Sequence, residues 1–108
     1  MLKGTIIENS LSDKSILNKI QIQKTYQSGN WILHDVYIDE NQVAELPSYL
    51  AVGPWYIHLW EPGQDNVMVV FKNKVFNIKF SDKSTWKDTT EYGKSIGIPG
   101  EQLDFPID

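Results

Sequence analysis

The sequence predicts an α+β fold: a mostly antiparallel sheet of five or six strands, with a C-terminal helix and two shorter helices packed on one face. Three observations carry this. Residues 55–80 alternate apolar and polar side chains in short runs. Residues 10–20 and 81–97 carry helix-cap and helix-period signals. Turn residues at Ser28-Gly29-Asn30, Gly53-Pro54 and Pro62-Gly63 punctuate the chain between these segments. With 108 residues, 41% of them hydrophobic, the chain suits a single globular domain over residues 1–108 with its own core.

Residues 2–8 read as a strand. Ser10-Leu11-Ser12-Asp13 then has the capping-box pattern that starts a short helix through Ile16, Leu17 and Ile20, ending near Lys19. Ile20, Ile22 and Tyr26 alternate with Gln21, Gln23 and Thr25, and the turn at Gly29 leads into residues 31–38, which predicts a hairpin. Asp39 is placed to cap a second helix with Gln42 bonding back, Val43 and Leu46 giving its apolar face. Pro47 is expected to limit it, because proline lacks the amide hydrogen and clashes with the preceding turn. Residues 55–60, 67–71 and 75–80 predict a three-stranded meander, with Pro62-Gly63 in a type II turn and Asn73 tolerating positive φ at the tight link. Ser81 or Ser84 is the expected cap of the last helix, whose Thr89, Tyr92 and Ile96 repeat at helical spacing before Gly97 and Pro99 end it. Residues 101–108 predict a docked tail covering a sheet edge, since Leu103, Phe105 and Ile107 alternate with acids and a proline.

Composition removes several functions. There is no cysteine, hence no disulfide framework, thiolate nucleophile or thiolate metal site. The first thirty residues lack the apolar core of a signal peptide, and no run is long enough to span a bilayer, so a cytoplasmic location without membrane attachment is the expectation. All ten positive side chains are lysines. Without arginine there is no planar fork for guanine or phosphate, and a net charge of −4 repels polyanions, which argues against nucleic acid. Lys72, Lys74, Lys79, Lys83 and Lys87 form no obvious stripe.

Between Lys24 and Lys72 there is no positive side chain, while six carboxylates, three of the four tryptophans and both histidines fall there. Strand alternation in Trp55-Tyr56-Ile57-His58-Leu59-Trp60-Glu61 sets Trp55, Ile57 and Leu59 on one face. Tyr56, His58 and Trp60 stand on the other, roughly 7 Å between neighbours. Aromatics with a hydrogen-bonding edge suit interfaces and ligand clefts, and equally suit a core beneath a helix. The pair His34-Asp35 invites comparison with metal-dependent phosphohydrolases, but adjacent strand residues point to opposite faces and cannot share one metal. His34 and His58, with Glu61 as a third ligand, would need adjacent strands. No G-x-S-x-G elbow or phosphate loop is present, and Lys83-Ser84-Thr85 reads as a helix cap before it reads as an anion site.

The sequence therefore favours non-enzymatic binding, with no catalytic residue, metal or cofactor assigned. The binding candidates are Tyr56, His58, Trp60, Glu61 and His34, and the partner is a protein with a basic surface or a small ligand. The acids Asp35, Asp39, Glu40, Glu45, Glu61 and Asp65 would steer such a partner if they shared a face. A small hydrolase or metal-dependent enzyme using His34 and His58 is the alternative.

Overall fold

Gly29, with φ of 60°, occupies the first central position of a two-residue turn in which Ser28 pairs with Trp31, the pattern of a type II′ hairpin. The computed structural model describes residues 1–107, and Asp108 at the end of the expected tail lies outside them. The hairpin joins β2 (Gln21–Ser28) to β3 (Trp31–Ile38), and β1 (Leu2–Ile7) pairs with β3 along its whole length. β4 (Ile57–Trp60), β5 (Asn66–Val70) and β6 (Val75–Lys79) form the predicted meander. All six strands make one antiparallel sheet in the order β2-β3-β1-β4-β5-β6. With α1 (Leu46–Tyr49) and α2 (Lys87–Ser95) this is the α+β class that the sequence predicts.

Several local signals resolve differently. The first helix does not start at Ser10, whose hydroxyl instead donates to the Ile7 carbonyl at 2.6 Å. Asp13 caps a 3₁₀ turn over Lys14–Asn18 by accepting the Ser15 amide at 2.9 Å. The capping box of Asp39 and Gln42 forms, and its 3₁₀ turn over Glu40–Glu45 runs into α1. Pro47 sits in the first turn of α1 rather than ending a helix, where its missing amide hydrogen has no partner to lose. Asp82, not Ser81 or Ser84, caps the last helical segment, since a carboxylate accepts both the Ser84 amide at 3.1 Å and its hydroxyl at 2.6 Å. Asn73 keeps negative φ; Gly63 and Gly97 take the left-handed conformation at their turns, with φ of 85° and 99°.

The helices divide between both faces of the sheet instead of sharing one. β4 and β5 are apolar on both sides, so both sides require cover. On the first face Leu2, Ile6, Val36, Ile38, Ile57, Leu59 and Val70 pack under Ile16, Val43, Leu46 and Leu50 from the short helical segments. On the second face Trp60, Val67, Val69 and Ile78 pack under Trp86 and Ile98 and under Leu103 and Phe105 of the tail. The tail thus lies across a face rather than along an edge, because Leu103 and Phe105 are buried there, with Ile107 half-buried beside them, and an edge would leave them wet. This second cover stops at β4. On the same face of β1, β3 and β2, residues Lys3, Thr5, Ile7, Tyr26, Leu33, Asp35 and Tyr37 are only half-buried.

β1 meets β4 through two residue pairs, Lys3 with Trp60 and Gly4 with Leu59. A Cβ on Gly4 would lie 2.7 Å from the His58 carbonyl oxygen and 2.6 Å from Leu59 Cδ2. Backbone cannot yield as a side-chain tip can. Gly4→Ala is therefore expected to cost about 1–3 kcal/mol, the range for overpacking a core, read as a lower urea midpoint. An unchanged midpoint would show that the two halves of the sheet are not held at this distance.

Candidate functional site

The tail reaches the sheet through the polar edges of the aromatic run before β5. The Tyr56 hydroxyl donates to the Gln102 carbonyl, with the Asp104 carbonyl 3.3 Å away. Burial, and then the negative charge of Asp104, pushes the Tyr56 phenol up to about 12. His58 Nε2 stands 3.0 Å from the Pro106 carbonyl, an obligate acceptor, so Nε2 carries the hydrogen. Burial holds the His58 imidazole below its ordinary value, against a smaller upward pull from that hydrogen bond. Its ring stacks on Trp60, centroids 5.2 Å apart, and Phe105 meets Tyr56 and Trp86 at 5.5 and 5.0 Å. Carbonyls of a tail without strand partners need donors once half-buried, and these side chains supply them.

Of the residues singled out from sequence, Tyr56, His58 and Trp60 share a face as expected. Trp60 is buried, and the other two are half-buried under the tail. Glu61, beyond the end of β4, takes the Met1 ammonium at 3.3 Å. His34 is buried on the opposite face, packed between strands rather than beside His58. β3 and β4 flank β1 without pairing, and the two histidines point to opposite faces, so the structure brings them neither together nor to Glu61. Among the described residues no group of three or more His, Asp or Glu side chains could hold a metal ion. The six central acids are scattered. Asp35 accepts the Thr5 hydroxyl at 2.9 Å, Asp39 caps a turn, and Asp65 accepts the Ser81 amide and hydroxyl. Lys83 lies 3.5 Å over the Trp86 ring, and Asp82 occupies the amide that an anion would use.

Two shallow depressions meet at Thr5 on the uncovered half of the second face. One, about 350 Å³, is lined by Ile7, Trp31, Leu33, Trp55, Tyr56, His58 and Gln102. The other, about 300 Å³, runs past Asp35 and Lys3 to Pro106 and Ile107. Together they form a groove along β1, walled by the tail on one side and floored by β1 and β3. Gly53, with φ of 136°, turns the chain so that Trp55 meets Trp31 edge-on, ring centroids 6.0 Å apart. Trp31 remains 42% exposed, and Ile22 and Ile32 of the same hairpin are exposed too. A larger depression of about 600 Å³ lies at the other end of the sheet, between Glu40 and Glu61 over Leu2 and Met68, but amide side chains line it and Met1 already engages Glu61.

Sequence reasoning missed Trp31, Thr5 and Leu33 as groove residues. The exposed tryptophan beside a hairpin turn was the available signal; the groove floor depends on β1 lying between β3 and β4. It also missed Thr25 and Glu8 around His34. His34 Nδ1 is 2.8 Å from the Thr25 hydroxyl, and Nε2 is 3.0 Å from a Glu8 carboxylate oxygen. Glu8 is held below the usual carboxylate range, chiefly by that hydrogen bond to His34, with Lys14 adding its charge.

No helix among the described residues is long and apolar enough to cross a membrane. Compared with protein-family models, with curated proteins and with solved structures, the chain matches none.

His58 generates a pH dependence whose sign follows from its depressed pKa. The unfolded chain takes up the proton near 6.5 and the folded protein only below that, so stability falls as pH drops from about 6.5 to the folded value. Glu8, lowered from 4.5, gives up its contribution only at more acid pH, as pH falls through its folded value. His58→Gln keeps a donor for the Pro106 carbonyl but cannot titrate. Urea unfolding across the histidine range should show a slope in wild type that the variant lacks; equal slopes would remove His58 as its source.

Proposed function

We propose that this chain is a non-enzymatic binding module whose groove on β1 and β3 takes a protein partner with a basic surface. The observation that carries this reading is the uncovered half-face with Trp31 at its rim. A small domain that buries apolar side chains on both faces of β4 and β5 leaves Trp31 exposed and Leu33 and Ile7 only half-buried on the neighbouring strands. Exposed apolar patches of this kind mark interaction sites, and tryptophan in a shallow pocket is a frequent anchor. The net charge of −4 supports a basic partner, since complementary fields accelerate encounter. A small ligand is the second reading, favoured by the aromatic end of the groove, whose about 350 Å³ falls within the range of ligand pockets.

Tyr56 and Trp60 hold the tail and the second core, so substituting them would disturb folding as much as binding. Trp31→Ala is the sharper probe, with Val52→Ala, at an 85% exposed position that lines neither depression, as its control. A partner captured from the source organism's lysate should be basic and bind less tightly as salt rises. Trp31→Ala should weaken it at least tenfold, as loss of an anchor does, and Val52→Ala should leave it unchanged. Hydrogen exchange on the complex should protect β1, β3 and the tail. Equal binding by Trp31→Ala, or protection elsewhere, would remove the groove as the site.

A further inference from the structure

On the face opposite the groove, independently of any partner there, the structure places a hydroxyl, an imidazole and a carboxylate in series across three strands. Thr25 and His34 are register partners on β2 and β3, and Glu8 follows the last residue of β1. An ionised Glu8 can only accept, so His34 Nε2 carries the hydrogen, and in the ring's neutral form Nδ1 is the acceptor for the Thr25 hydroxyl. Lys14 Nζ, 3.7 Å from the other Glu8 oxygen, favours the ionised carboxylate. The imidazole is buried while Thr25 is exposed, so the base is screened from water and the hydroxyl is open to a reagent.

β2 is an edge strand. In an antiparallel ladder, alternate residues of an edge strand point both N–H and C=O outward. Whichever parity holds here, the free amide belongs to Thr25 itself or to both Lys24 and Tyr26, which puts a donor for a developing oxyanion within one residue of the hydroxyl. The bulge between Ile22 and Lys24 bends the strand next to this point.

We propose that Thr25 is an activated hydroxyl that accepts an acyl group from activated esters, with His34 as its general base and Glu8 as a positioning residue. A nucleophile within hydrogen-bond reach of a base that a third group orients is the arrangement such chemistry uses. Thr25 Oγ1 attacks the ester carbonyl carbon as its proton passes to His34 Nδ1. The bond from that carbon to the leaving oxygen breaks, and the imidazolium returns the proton to the departing alkoxide. The products are O-acyl-Thr25 and a free alcohol, with no change of oxidation state.

The test is acetylation of the full chain by p-nitrophenyl acetate, followed by release of nitrophenolate and by peptide mass mapping. Wild type should carry acetyl on Thr25, formed roughly 10²-fold faster than on the surface hydroxyl of Thr90, the scale of general-base assistance. Thr25→Val should lose the site, and His34→Gln should lose the acceleration. Glu8→Gln should slow it and shift its pH–rate profile, because the base has lost the carboxylate that orients it. That shift is not what a merely structural contact would produce. If His34→Gln fails to fold, the Glu8→Gln profile decides alone. Acetyl confined to lysines and the N-terminus, equal labelling of Thr25 and Thr90, or an unchanged rate and profile in Glu8→Gln would each overturn the proposal.

Discussion

Everything in this molecule is organised around β1, a strand that must satisfy two unlike neighbours. Along β3 it pairs from Leu2 with Ile38 to Ile7 with Leu33. Against β4 it pairs only at Lys3 and Gly4, and the approach is so close that no side chain fits at position 4. A hairpin on one side and a meander on the other therefore become one sheet through a short seam. Backbone hydrogen bonds at that seam contribute about 1 kcal/mol each, which cannot by itself resist hinging. The first core supplies the rest, because Leu2, Ile6, Ile57 and Leu59 lie under one apolar cover that spans the seam. The second core does not cross it, ending at Trp60 and the tail. The groove exists because one cover spans the seam and the other stops there.

The tail explains why the aromatic run reads as a ligand site in sequence. A segment with Pro99 and Pro106 cannot pair as a regular strand, so its carbonyls require other donors where they are half-buried. Tyr56 and His58 provide them, and Phe105 fills the space between Tyr56, His58 and Trp86. Phenol and imidazole edges on an otherwise apolar strand are what a binding cleft needs, and also what a docked, irregular chain end needs. Gly93 takes part in the same docking: a Cβ there would lie 2.6 Å from Leu103 Cδ2, so α2 has a notch where the tail begins its crossing. The wall of the groove is therefore built by the residues that were expected to line its floor.

Local signals were legible where chemistry is local. The alternation of Val67 and Val69 against Met68 and Val70, the Asp39 and Gln42 capping box, and the left-handed glycines at positions 63 and 97 all act within a few residues. The opposed directions of His34 and Asp35 were legible too, since they follow from strand period alone. What failed depended on competition or on register. Ser84 lost the cap to Asp82, because a carboxylate accepts more strongly than a hydroxyl and stands two residues earlier. The division of helices between the two faces needed the strand order, which no periodicity contains. Thr25, His34 and Glu8 are separated by up to 26 positions, and only the pairing of β2 with β3 and β3 with β1 brings them into one line.

That pairing makes the hairpin turn more consequential than its exposure suggests. On β3, Leu33 and Asp35 face the groove and His34 faces the opposite side, so both arrangements hang on one alternation. Sliding β2 by one residue would place Lys24 or Tyr26 in line with His34 instead of Thr25, because the side-chain period is two. β2 itself exerts little control over this, since its side chains are exposed on both faces apart from half-buried Tyr26. Burial therefore cannot set its register. Control passes to the turn, where Gly29 at the first central position accepts a positive φ that other residues resist and fixes Ser28 opposite Trp31. The same constraint that sets Trp31 at the rim of the groove also sets Thr25 against His34, so a weakly buried edge strand is held in register by a glycine at its tip.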